Sequence, residues 1–210
     1  MTHHHHHPYY PLDLELPGYV PMTLNFEYIL GVFFAAVAAV FILTWLVAGT
    51  RRHLSPGDKV VASWFMVTGL IHFVIEGKEY AKADSRYATR DSFIISMEAV
   101  TAFVWGPACL AVTYGILGRK PWRLPLMIVV SLGQIYGDVL YYATCWLEGF
   151  AHSRPEVLYF WIYFVIINSF WIIIPSSVIL YAAGKITTHA VEVEGDLLTS
   201  STRNGKSKSL

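Results

Sequence analysis

What this 210-residue chain lacks is charge. Only 14% of its residues are Asp, Glu, Lys or Arg, against about 25% in an ordinary soluble domain. Hydrophobic residues make up 55% of it, and the mean hydropathy is +0.46. Those values exclude a typical soluble domain and indicate a polytopic membrane protein. Formal net charge is zero, so no nucleic-acid partner is implied. Cysteine is also scarce. Cys109 and Cys145 both sit inside apolar runs, which argues for small packing groups rather than a disulfide framework or a metal site. There is no phosphate-binding glycine loop, nucleotide fingerprint or Ser-His-Asp pattern, so chemistry without a cofactor or metal is expected. Met1 to Met22 has neither a basic start nor an apolar run, so no signal peptide is expected.

The apolar residues that are present fall into five runs, which predict an all-α, five-helix transmembrane bundle. Residues 1–27, with the His3 to His7 run and then Pro17, Gly18 and Pro21, read as an extended arm. Spans are expected at about 28–48, 60–77, 92–117, 124–146 and 159–183, inside a domain covering 28–184. Gly106-Pro107 predicts a kink in the third. Residues 185–210 read as a polar, disordered tail. With five spans, the first loop, third loop and tail share one side and carry ten of the fifteen Lys and Arg residues. The positive-inside rule puts the N-terminus in the lumen and the C-terminus in the cytosol.

Against this apolar background, Leu70 to Gly77 holds His72 and Glu76 four residues apart, on one face of a helix. Similar rows follow: Glu98, Thr101 and Trp105 on the third span, Gln134, Asp138 and Tyr141 on the fourth, Asn168 and Trp171 on the fifth. Tyr136 adds to the polarity of the fourth. Turned inward, these rows would surround one intramembrane polar pocket. Thr101, Gln134 and Asn168 would equally serve as interhelical hydrogen-bond glue, and Trp105 as packing. Glu76 and Glu98 weigh more, because a carboxylate at membrane depth costs a few kcal/mol. A histidine, two carboxylates and an indole around an apolar cavity suit proton transfer on a lipid-like substrate, the indole face steadying a cation.

His72 to Gly77, Lys78 to Lys82 with Asp84 to Tyr87, Met97-Glu98 with Thr101 and Trp105 to Pro107, Gly133 to Asp138, and Asn168 with Trp171 together resemble the emopamil-binding protein family. Leu16 to Pro21 looks like its plant branch. The resemblance implies a five-helix protein of the endoplasmic reticulum membrane that isomerises Δ8 sterols to Δ7 sterols and binds cationic amphiphilic amines as inhibitors. It also leaves room for a homodimer. Transferred onto matching positions, it implies His72, Glu76, Glu98, Asn168 and Trp171 as catalytic. Thr101, Trp105, Gln134, Tyr136 and Asp138 are then expected to hold the substrate. Family members carry roughly twenty more residues, about a span's length, where Gly77 here joins Lys78. The shortening keeps two alternatives open: a non-catalytic sterol- or amine-binding protein of the same fold, and an impaired isoform.

Overall fold

The computed structural model describes residues 7–16, 19, 26–73 and 81–207. Glu76 and the junction of Gly77 with Lys78 lie outside the described residues. The described chain is mostly helical, and no strand occurs among the described residues. In order come α1 (Phe26–Gly49), α2 (Pro56–Phe73), the short α3 (Arg86–Thr89), α4 (Ser92–Val100), α5 (Gly106–Leu117), α6 (Arg123–Leu147) and α7 (Asn168–Ser207). Two π-helical segments interrupt the series, Thr101–Trp105 between α4 and α5 and Leu158–Ile167 leading into α7. Four stretches are long and apolar enough to cross a membrane: Gly31–Gly49, Ser92–Leu117, Arg123–Leu147 and Leu158–Thr199. The 18-residue α2, which opens with Gly57-Asp58-Lys59, is not among them.

The first π segment has a local cause. Pro107 has no N–H to give to Phe103 and its ring crowds that carbonyl. The Gly106 N–H instead reaches Thr101 O, one residue further back than in an α-helix, and the wider turn absorbs the proline. The irregularity falls where Gly106-Pro107 predicts a kink. The tail differs from its composition. Where a disordered segment is expected from residue 185, α7 continues to Ser207, although its side chains from Ile186 to Thr199 are exposed. No proline follows Pro175, and each added residue of an already formed helix gains a hydrogen bond without a new nucleation cost.

The bundle is organised by the inward seam of α6. Leu124, Met127, Ser131, Gln134, Asp138, Tyr141 and Cys145 are buried and alternate by three and four residues, the spacing of a helix packed along one stripe. Val129, Leu132, Tyr136 and Val139 between them face outward, as expected of a lipid-facing surface. The seam is apolar near Leu124, where it joins the core of Phe65, Val112, Ile116 and Val178. It is apolar again near Tyr141, against Ile94 and Phe164. Its two strongly polar members, Gln134 and Asp138, fall at the middle of the 25-residue helix.

Two contacts set the register of α2 against α7. At one end Asp58 takes Lys185 Nζ at 2.6 Å and the Tyr181 hydroxyl at 2.9 Å on one carboxylate oxygen, and the Ser55 amide and hydroxyl on the other. The Tyr181 ring lies over Gly57, where a Cβ would stand 3.0 Å from it. Fourteen residues along each helix, His72 stacks on Trp171. Four turns of antiparallel helix, about 21 Å, thus separate an ion pair at the bundle's end from an aromatic pair in its interior.

The opposite end is held by Arg86, 2% exposed. It pairs with Asp84 and reaches Thr144 Oγ1 at 3.0 Å and Glu148 Oε2 at 3.2 Å on α6. Asp84 also bridges to Ser153 in the next loop. The N-terminal arm turns at Pro11 to Leu14 and reaches the same end, Pro8 O accepting from Arg154 at 3.0 Å.

Burial alone would raise the Asp58 carboxyl. The hydrogen bonds from Lys185, Ser55 and Tyr181 outweigh it and hold the group below the usual carboxylate range. Its stabilisation is therefore complete above the ordinary pKa of about 3.9 and is lost as pH falls through the lower folded value. Asp58→Asn is expected to cost about 2 kcal/mol at neutral pH. Denaturation of wild type and variant in detergent should converge as pH falls below about 4.

Candidate functional site

The site grows from three helices that the α2–α7 register brings together. His72, in the last described turn of α2, is 7% exposed. Its ring stacks on Trp171 with centroids 5.2 Å apart and planes inclined by 29°. Gln134 of α6 approaches from the other side, its Nε2 3.4 Å from His72 Nε2. With the amide donating, the neutral imidazole carries its proton on Nδ1. The same amide group reaches Cys109 Sγ at 3.6 Å, which also receives the Thr68 hydroxyl at 3.6 Å. Trp64, two turns before His72 on α2, also packs against Trp171, centroids 5.6 Å apart. Gln134 Oε1, Asp138 Oδ2 and Trp64 Nε1 are buried and have no hydrogen-bond partner among the described residues.

Glu98 belongs to a second polar locus. The Tyr87 hydroxyl donates to its Oε1 at 3.1 Å, and Tyr87 in turn packs edge-on to Tyr141. Tyr141 lies seven residues beyond Gln134 on the α6 seam, about 10 Å along the helix, with Asp138 between. The described residues thus join His72, Gln134 and Trp171 directly. Glu98 sits two turns further along the seam, through Tyr87 and Tyr141.

The other expected residues fall around these loci in different ways. Thr101 and Trp105 bound the π segment after α4. Trp105 lies on Gly133, where a Cβ would run into its ring. Asn168 is 7% exposed and spends its side-chain amide on Phe164 O at 2.7 Å. The Tyr142 hydroxyl also serves that carbonyl and Val165 O. Val165 O also accepts the Asn168 backbone N–H, and together these bonds tie the entry of α7, one turn before Trp171, to α6. Pro175 acts on the same residue, since it cannot donate to the Trp171 carbonyl. Tyr136 is 65% exposed, on the face opposite Gln134 and Asp138. The structure does not bring it into the cluster.

Sequence reasoning missed Tyr87, Trp64, Thr68 and the close approach at Gly133. Tyr87 and Gly133 stand inside segments that carry the family resemblance. Thr68 and Trp64 are one and two turns before His72 on its face of α2, a spacing that could have found them.

Inward-facing ionisable and aromatic side chains at the middle of long apolar helices define a class of helical, multi-span proteins with polar chemistry among the helices. Within that class the chain belongs to the EXPERA family, the EXPanded EBP superfamily, whose model matches residues 77–182. It is 40% identical to 3-beta-hydroxysteroid-Delta(8),Delta(7)-isomerase of Mus musculus over 205 residues, covering 87% of this chain and 89% of the relative. It is 36% identical to a probable enzyme of that name from Oryza sativa subsp. japonica, covering 89% and 94%. Protoglabretal synthase of Ailanthus altissima is 33% identical, over 86% and 92%. In the mouse comparison 87% of 210 residues is about 183, so about twenty of the 205 aligned positions have no residue in this chain.

The Trp105–Gly133 contact leaves no room for a methyl group. Gly133→Ala should displace the Trp105 ring and cost about 1–3 kcal/mol, read as a lowered unfolding midpoint in detergent with a change in tryptophan emission.

Proposed function

We propose that this chain is a sterol Δ8-to-Δ7 isomerase, acting without a cofactor in the endoplasmic reticulum membrane. The observation that carries the reading is the buried His72, stacked on Trp171 and bonded to Gln134, in a chain 33–40% identical to the named isomerases of animals and plants. The bundle has five spans, the second over about 60–77, and a membrane domain at 28–184. The N-terminus is lumenal and the C-terminus cytosolic.

The reaction adds one proton and removes another, so no redox partner is needed. Protonation at carbon 9 of the sterol leaves a tertiary cation at carbon 8, and loss of a proton from carbon 7 completes the shift of the ring-B double bond. His72 and Glu76 form the proton relay, Glu98 supplies electrostatic support or a second relay, and the Trp171 face steadies the cation. Asn168 and Thr101 orient these groups. Trp105, Gln134 and Asp138 line the sterol site, where the unpaired Gln134 Oε1 and Asp138 Oδ2 are suited to a hydroxylated apolar ligand. Tyr136, on the outer face, belongs to the lipid contact. Cationic amphiphilic amines would mimic the cation and bind at the same carboxylates.

The second reading is a sterol- or amine-binding protein that does not turn over, favoured by the missing positions beside Glu76. Expression in sterol-isomerase-deficient yeast separates the two. Wild type should convert Δ8 to Δ7 sterol, and Glu98→Gln or His72→Ala should lower conversion about a hundredfold or more. Full activity in Glu76→Gln and Glu98→Gln would overturn the relay. A wild type that retains radiolabelled amine but converts nothing, and gains activity when a relative's segment is inserted after Gly77, would establish the second reading.

A further inference from the structure

We propose that a cleft at the ion-paired end of the bundle binds a phosphate-bearing anion, presented there by the headgroup of an anionic lipid. The loop before α2, the turn between α5 and α6, and the α7 segment around Lys185 enclose a cleft of about 450 Å³. Arg119, Arg123 and Lys185 line it together with His53 and His189, and Asp58 is its one carboxylate. Asp58 is already engaged on both oxygens by Lys185, Tyr181 and Ser55. Neither arginine forms an ion pair among the described residues. Arg123 gives one N–H group to Lys120 O at 2.9 Å, which steadies its guanidinium and leaves its remaining donors for a ligand. The lining thus holds an excess of positive charge, and planar guanidinium forks match phosphate oxygens in pairs.

The backbone at Arg119 is a second, independent observation. α5 ends in a Schellman turn: Lys120 N–H bonds Gly115 O at 2.8 Å and Arg119 N–H bonds Ile116 O at 3.2 Å. The residue at the left-handed position of that turn is most often glycine. Here glycine stands one place earlier, at Gly118, and Arg119 takes the left-handed conformation with φ of 50°. Arg90 and Phe150 adopt the same region elsewhere, and Arg119 is the one of the three whose side chain lines this cleft, which ties the strained position to the guanidinium there. The cleft lies beside the helix ends, where a headgroup would meet a spanning bundle. Fixed cations there read phosphate by charge and by paired hydrogen bonds.

The full chain in phosphatidylcholine nanodiscs, with and without phosphatidylinositol phosphate, tests this independently of isomerase activity. The doped discs should raise Tm by about 5 °C, an effect that added salt removes. Arg119→Gly should leave the Tm in phosphatidylcholine unchanged or higher, since it relieves the turn, and abolish the lipid-induced rise. Arg123→Gln should weaken the rise, and Arg154→Gln at the opposite end should preserve it. Inorganic phosphate giving the whole rise would uphold the anion site and overturn the lipid as its source. No rise with either probe, or an undiminished rise in both Arg119→Gly and Arg123→Gln, would overturn the site.

Discussion

The α2–α7 register governs what the interior of this bundle can do. Helices packed through apolar side chains slide at little cost, because one methyl group packs much like another. Asp58 permits no such sliding, since a carboxylate with four hydrogen bonds meets Lys185 and Tyr181 in one alignment only. A one-turn slip would leave a buried charge unpaired, a penalty of several kcal/mol. His72 and Trp171 stand at equal distances from that staple along their two helices. The ion pair therefore sets the stacking of imidazole on indole at about 21 Å, with stiff helix between them. The same geometry places Asp58 in the wall of the basic cleft, so one carboxylate serves both ends of the arrangement.

Arg86 plays the corresponding part at the other end. Its guanidinium has donors on Asp84, Thr144 and Glu148 and lies 5.3 Å from the Tyr141 ring. It fixes the loop after the undescribed segment to the end of α6. Tyr87 is the next residue, so this anchorage carries its hydroxyl to Glu98. The two polar loci are thus positioned from opposite ends of the bundle and meet along α6, where Gln134 and Asp138 occupy the polar middle of the seam.

Much of this was legible in the residues. Long apolar runs mark the helices, and the polar rows on α2, α6 and α7 predict the inward faces that hold His72, Gln134 and Trp171. Periodicity assigns a residue to a helix face, and only packing assigns it a partner. For that reason the spacing leaves Asn168 without its role at the π-helical carbonyls. Tyr136 stands out as polar in an apolar helix, although its position two residues from Gln134 and Asp138 puts it on the outer face. In the tail, polar composition reports the lack of a buried face, and it is silent on whether an already nucleated helix continues. The Arg86 and Asp58 networks were least legible, because the partners they reach on other long helices lie 58 or more residues away in sequence.

The connection between α2 and α3 bears on catalysis through reach. His72 stands about 21 Å along α2 from Asp58, and a hydrocarbon core is about 30 Å thick. About 9 Å remain, a distance that six residues of helix would cover at 1.5 Å each. Eight residue steps lead from Phe73 to Ala81, and extended chain covers up to about 3.3–3.6 Å per residue. Up to about 26–29 Å of chain is thus available between the end of α2 and the loop that Arg86 anchors. Both flanks have their own fastenings, His72 on Trp171 before the junction and Arg86 on α6 after it. Because each flank is held by contacts of its own, the fold on either side of the junction does not depend on the length of chain between them, and a change in that length would act on turnover through the site rather than through collapse of the bundle.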